Sequence, residues 1–374
     1  MKIVVAPDSF KESLSAFDVA KAMEEGVKAR APEAIVKLVP MADGGEGTVD
    51  TLSAYKKDAH TVHVKNPLGR KVEATYITLP YKGKDVAVIE CAASTGIDLV
   101  PRKERDPFLL NSYGLGEQIA HAVEQGIRHI VVTLGGSATT DGGTGMLQAL
   151  GYRFLDEAGE ELSMDRNVLC DVASIDGSGV LEELEECTFT IACDVSNPFY
   201  GKNGAAFVYG PQKGATSLDV EQLDAGLRQF AEVTREHTGS DITHVPGAGA
   251  AGGLGGALAG FLQGQMQPGF ELVADLTGLE EELREADLVF TGEGKLDSQS
   301  MNGKVPIGVA KTAEKYGIPS VAFGGSVETE CDYSPLSAVF SIQHGPGTLE
   351  EAMDADNASR NISFLAKQVV GLFM

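Results

Sequence analysis

One pattern recurs along this chain and leaves few folds open to it. An apolar, β-branched run is followed by a loop of glycine, acids and hydroxyls, and then by a helix signal. It is longest at Ile130-Val131-Val132-Thr133-Leu134, which leads through Gly135–Gly145 into Met146-Leu147-Gln148-Ala149-Leu150. The run reads as a buried strand and the closing segment as a helix. Glycine lets backbone N–H groups approach a ligand, and a helix start adds unpaired donors and a partial positive charge. Such a turn suits an anion, phosphate above all. The arrangement returns at Ala6-Pro7-Asp8-Ser9-Phe10-Lys11, at Met41 to Thr48, at Cys193 to Pro198 and at Thr291-Gly292-Glu293-Gly294-Lys295-Leu296-Asp297. Open α/β sheets bind ligands at the carboxyl ends of their strands, so several such loops imply one shared crevice.

The order of elements sets the organisation. Lys2–Ala6 reads as a strand, Ser15 caps a helix carrying Val19, Met23 and Val27 on one face, and Ile35–Val39 is the next strand. From about His60 the strands Thr61–Val64, Glu73–Thr78 and Val86–Glu90 follow closely, with turns and no helices between them, which predicts antiparallel pairing. A helix over Ser112–Glu124, a strand at Phe189–Cys193 and an amphipathic helix over Leu218–Glu236 come next. The βα rhythm resumes at Leu288–Thr291, continues through strands at Ser320–Phe323 and Ala338–Ile342, and closes in a long helix opened by Thr348 and Glu351. The two ends together supply five core strands. The expected fold is therefore α/β with two domains. A flavodoxin/Rossmann-like, doubly wound parallel sheet is built from residues 1–60 and 285–374, and a mixed α/β domain is inserted at 61–284. A chain of 374 residues is too long for one ordinary core, which fits that division.

Charge narrows the partners. The net charge is −24, with no basic run to offset it, so nucleic acid and anionic membrane are excluded as partners. The uncharged stretch Val245–Leu262 holds seven glycines and a proline, too few large apolar side chains to span a bilayer. The five cysteines show no CxxC spacing and read as reduced thiols of a cytoplasmic protein, and Met1-Lys2-Ile3-Val4-Val5 enters a strand at once, so no signal peptide is expected. His60-Thr61-Val62-His63 lacks the partners of a zinc site.

Familiar catalytic signatures are missing. Asn302-Gly303-Lys304-Val305 lacks the upstream glycine and the hydroxyl of a Walker A loop, and Gly135-Gly136-Ser137-Ala138-Thr139 puts threonine where a serine elbow needs glycine. Acids and lysines on phosphate-friendly loops are abundant instead. Phosphoryl transfer needs donors and cations around the moving group, carboxylates for Mg²⁺ and a base for the attacking hydroxyl. The acidic candidates are Asp8, Asp43, Glu46, Asp141, Asp194, Glu293 and Asp297; the basic ones are Lys11, Lys213, Lys295 and Lys304.

These stretches are similar, in order and over nearly the whole chain, to those of type 1 glycerate kinases. The blocks are Pro7–Ser15, Met41–Thr48, Gly135–Gly143, Ala192–Pro198, Gly210–Ala215, Pro246–Gly255, and Thr291–Gly294 through Gly303-Lys304. The resemblance implies ATP-dependent phosphorylation of D-glycerate in the cytoplasm with Mg²⁺. It also implies two α/β domains with the active site in the cleft, and 2-phosphoglycerate as the usual product with 3-phosphoglycerate the alternative.

On this reading ATP phosphates lie against Gly135, Gly136, Ser137 and Thr139, or against Gly292, Gly294 and Lys304. Glycerate sits near Asp8 and Ser9, its carboxylate paired by Lys11 or Arg70, since an unpaired buried carboxylate is costly. Asp194 is the first candidate for the base and Asp297 the second, with Lys11 and Lys295 as catalytic cations. Asp43 and Glu293 are the metal candidates. The chain is expected to be a monomer or homodimer. Two rivals remain at this stage. Gly247-Ala248-Gly249-Ala250-Ala251-Gly252 matches a dinucleotide fingerprint and would suit an NAD(P)-dependent oxidoreductase of a small hydroxy acid. A non-catalytic sugar-acid-binding protein would bind without turnover.

Overall fold

The computed structural model describes residues 1–298, 300 and 303–374. Among them the strands are β1 (Lys2–Val5), β2 (Ile35–Leu38), β3 (Asp58–Lys65), β4 (Lys71–Tyr81), β5 (Lys84–Glu90), β6 (His129–Thr133) and β7 (Arg153–Leu155). They continue as β8 (Ser174–Asp176), β9 (Thr188–Ala192), β10 (Gln265–Gln267), β11 (Leu288–Leu296), β12 (Ser320–Val327) and β13 (Ala338–Ser341). The chain forms two compact units, Met1–Asp43 with Asp50–Ala54 and Gly269–Met374, and Gly44–Val49 with Tyr55–Pro268. No helix among the described residues is long and apolar enough to cross a membrane.

The first unit is a five-stranded, wholly parallel sheet in the order β13-β12-β11-β1-β2. Read from β2, that is the flavodoxin-like order, with its topological switch point between β1 and β11. Successive residues Ile3, Val4 and Val5 are all fully buried, as are Val289 and Phe290, so the central strands are covered on both faces. On one face Ile3, Val5, Phe290 and Phe323 join Val19, Met23 and Val27 of the helix Ala16–Arg30 and Ile362 of Ala355–Val370 in one core. Ser15 caps the first of these helices, its hydroxyl accepting from the Asp18 N–H. The helix Val305–Glu314 packs on β11 and β12.

The second unit carries a six-stranded mixed sheet, β10-β9-β6-β5-β4-β3, in which the first four strands are parallel and β4 and β3 antiparallel. Its core gathers Ile89, Val132, Ile191, Leu147 and Leu254 with Leu223, Leu227 and Phe230 from the helix Ser217–Thr238. A Thr216–Asp219 capping box starts that helix.

The α/β architecture built from both chain ends is the one the sequence predicts. Two local expectations are corrected. The stretch from Gly292 to Leu296 is strand rather than loop, paired in parallel with Phe323–Val327. A Cβ on Gly292 would lie 2.3 Å from the Phe323 carbonyl oxygen, so the glycine there serves close strand packing. The C-terminal helix is two helices, Leu349–Met353 and Ala355–Val370, because Asp354 takes an extended conformation and caps the second.

Candidate functional site

In the first unit the chain continues beyond β1 along β11: the Ala6 N–H donates to the Phe290 carbonyl and the Asp8 N–H to the Gly292 carbonyl. That delivers Asp8 to the switch point. Ser9 donates its N–H to Asp8 Oδ1 at 2.6 Å. Burial, then Asp43 and Glu293, push the half-buried Asp8 carboxyl up to about 7, against the Ser9 amide and Lys11. Glu293, almost fully buried on β11, is also held above the usual carboxyl range, first by burial. The Ser300 hydroxyl donates to it and Lys304 draws it back. Asp8, Asp43 and Glu293 thus form a mutually repelling acidic set, in which Asp8 and Glu293 favour protonation or a cation.

Beside this set lies a cavity of about 400 Å³ lined by Phe10, Lys11, Ser13, Gly294, Gly325 and Thr348, among others. Lys11 is the one cation among its described lining residues. Asp297 bonds the Ser300 N–H and makes an ion pair with the mostly exposed Lys295 at 2.8 Å, which raises the lysine pKa. The motif stretch Gly292–Gly303 and Asn302-Gly303-Lys304-Val305 falls partly on Gln299, Met301 and Asn302, which lie outside the described residues.

In the second unit the loops after β5, β6 and β9 emerge at the carboxyl ends of adjacent parallel strands. Gly136 adopts φ +63°, a left-handed backbone that glycine takes without strain. Its carbonyl accepts from the Ile97 N–H, while the Ala138 N–H donates to Thr95. Gly136 is exposed and Gly135 half-buried against Gly45 and Glu46; Ser137 is 5% exposed and Thr139 is sealed. Lys213, itself buried, donates to Ser137 Oγ and to the Thr139 carbonyl. Asp194 stands exposed after β9.

Three candidates take other partners. Asp141 is fully buried and accepts from Ser112 N–H and Oγ–H and from the Gly143 and Gly145 N–H groups, so it ties two helix starts together. Arg70 lies on the exposed β3–β4 turn in an ion pair with Glu104. Gly247–Gly252 forms tight turns rather than a strand-to-helix fingerprint. The Gly252 carbonyl accepts from the Gly142 N–H, and a Cβ on Gly252 would sit 2.0 Å from the Thr139 carbonyl oxygen. Gly252 thus packs under the Gly135 loop, while Gly247 and Gly249 lie against the Cys193–Pro198 segment.

One residue escaped the sequence reading. Glu90, buried at the end of β5, accepts from the Gly47 and Val49 N–H groups and so holds the Gly44–Val49 segment. Its one signal in the sequence is an acid closing an apolar strand, without the glycine loop that follows the others. Among the described residues no group of three His, Cys, Asp or Glu side chains could hold a metal ion by itself.

A flavodoxin-like sheet with acids and a lysine at its switch point, joined in one chain to a glycine turn at parallel strand ends, defines an α/β phosphotransferase. Comparison with known proteins agrees. The model of the Glycerate kinase family matches residues 3–374. The chain is 46% identical to the glycerate 2-kinase of Escherichia coli K12, covering 97% of each chain. It is 43% identical to the glycerate kinase of Halalkalibacterium halodurans, over 97% of this chain and 98% of that one. The crystal structure of a protein from Salmonella typhimurium LT2 described as glycerate kinase 2 superposes with a TM-score of 0.90 at 44% identity, covering 100% of this chain and 98% of that one. The chain belongs to the glycerate kinase family.

Proposed function

We propose that this kinase transfers the γ-phosphoryl group of ATP to the 2-hydroxyl of D-glycerate. The observation that carries the substrate assignment is the switch-point cluster. A small cavity with Lys11 on its wall suits a short hydroxy acid whose carboxylate needs a cation, and Asp8 beside it can accept a hydrogen bond from a hydroxyl. The Escherichia coli relative is named a glycerate 2-kinase, which supports the 2-position.

The phosphates belong to the Gly135-Gly136 turn. Gly136 in it is exposed, whereas Gly292 is buried within a paired strand. Asp194, exposed at a strand end, is the proposed base, with Asp297 and Lys295 as supporting charges and Lys304 as a further phosphate partner. Asp43 and Glu293 fit a Mg²⁺ ion, because their mutual repulsion with Asp8 is relieved by a cation. Mg²⁺ takes only one or two carboxylates and completes its shell with water and phosphate, so it needs no closed protein cage. When bound, it neutralises charge on phosphoryl oxygens. A cytoplasmic setting is supported by the five cysteines, all of them free.

Phosphorus NMR on the product of ATP and D-glycerate tests the reading. The expected spectrum is that of 2-phosphoglycerate. A 3-phosphoglycerate signal moves the acceptor to the other hydroxyl, and no phosphorylated acid at all refutes the substrate.

A further inference from the structure

The Gly135 turn is braced from behind by a lysine that water barely reaches. Lys213 is 2% exposed and ends the short turn Pro211–Lys213. Its Nζ donates to Ser137 Oγ at 2.9 Å and to the Thr139 carbonyl at 2.6 Å. A buried ammonium without a close counter-charge is costly, and Lys213 makes no ion pair among the described residues. Asp141, an acid that attracts it, spends its carboxylate on Ser112, Gly143 and Gly145. Thr139 Oγ1 and Thr140 Oγ1 are buried nearby in sequence with no hydrogen-bond partner among the described residues. The turn therefore holds a positive charge and spare hydroxyls, with no ion-pair partner for Lys213 among the described residues, and the carboxylate that borders it is Glu46, whose Oε2 would lie 3.3 Å from a Cβ on Gly136.

We propose that Lys213 is a positioning residue: it fixes the Ser137–Thr139 turn and lends the adjoining Gly135-Gly136 backbone, exposed at Gly136, the positive field that draws the phosphates of the nucleotide. This rests on the reading that the turn receives phosphate. Being buried, Lys213 acts through Ser137 and the backbone rather than by touching the ligand.

The charged and titratable groups around it are few. The Cys91 thiol at the end of β5 donates to the Gly135 carbonyl, Asp141 lies on the loop, and Arg105 turns its guanidinium to the Ile97 and Val100 carbonyls. Burial draws the Lys213 pKa down to about 8, with Cys91 and Asp141 opposing. An anion on the turn favours the charged form and raises that value. Nucleotide binding at or above pH 8 should then take up a proton, and affinity should weaken as pH rises through that region.

Calorimetry of ATP binding to the whole protein, in buffers of different ionisation enthalpy at pH 8.5 and 6.5, tests this. The expected result is proton uptake at pH 8.5 that is absent in Lys213→Met, with ATP affinity at pH 7 lowered ten-fold or more in that variant. Lys213→Met should melt at or above the parent temperature, because a buried charge is gone; a residue needed only for packing would show the reverse, a lower melting temperature with unchanged affinity. Gly136→Ala, which strains a φ of +63°, probes the turn independently. If Gly136→Ala weakens ATP while Lys213→Met changes neither affinity nor proton uptake, the role of Lys213 is overturned and the phosphate turn stands. If neither variant weakens ATP, the turn itself is not the phosphate site and both ideas fall. Should Lys213→Met fail to fold, the absence of proton uptake in the parent protein at pH 8.5 overturns the proposal.

Discussion

Asp141 and Asp194 have similar surroundings in the sequence, each on a loop after an apolar strand, and the fold gives them different work. Asp141 is sealed among four donors, two from Ser112 and two from the following helix start. Asparagine there would turn an NH₂ group toward N–H donors, so Asp141→Asn should cost about 2–4 kcal/mol in urea unfolding. Asp194 is exposed. Asp194→Asn should melt normally and lower turnover by at least about 100-fold, the scale of losing a general base. Near-normal turnover would move the base elsewhere, with Asp297 the next to test. The pattern of an acid after a strand finds both residues and cannot sort them, because a cap is defined by partners that only folding supplies. Ser112 is 29 residues from Asp141. Glu90 escaped for a related reason: the chain after it is Cys-Ala-Ala-Ser-Thr rather than glycine, so nothing local marks a ligand loop.

At the scale of elements, most helices and strands announced themselves through apolar periodicity, and the misreading of β11 shows where that signal stops. Gly, Glu and Lys are depleted in strands, so Thr291-Gly292-Glu293-Gly294-Lys295 reads as loop. The strand forms because β12 pairs with it as far as Leu296–Val327, a contact between segments about 30 residues apart. Gly292 is what allows the approach. Gly292→Ala would place a Cβ 2.3 Å from the Phe323 carbonyl oxygen in the middle of a buried sheet. Backbone cannot yield there as a flexible side chain would, so the expected loss is about 3 kcal/mol or more in chemical unfolding. A change below about 0.5 kcal/mol, the range of neutral surface substitutions, would mean that β11 and β12 do not pair this closely. The same strand presents Glu293 at the switch point, so the strain should also lower activity through the acidic set.

At the scale of the whole chain, the first unit cannot close its sheet until both ends are present. β1 pairs with β2 on one side and, across Ile3 and Leu288, with β11 on the other. The sequence foretold this by strand count: the ends alone supply too few strands separately and five together. What it left hidden was how tightly the last helix is needed. A Cβ on Gly26 would lie 2.1 Å from the Ser363 carbonyl oxygen, so the helices Ala16–Arg30 and Ala355–Val370 meet at backbone contact. Removing Ala355–Val370 withdraws Ile362, Ala366 and Val369 from the core that covers Val19 and Met23, and leaves the second unit's own core intact. Hydrogen exchange on a chain truncated after Asp354 should therefore show loss of protection in β1 and in Ala16–Arg30, with β5, β6 and β9 still protected. Equal loss in both sets would show that the chain unfolds as one cooperative block, and that the inserted unit depends on the sheet built from the ends.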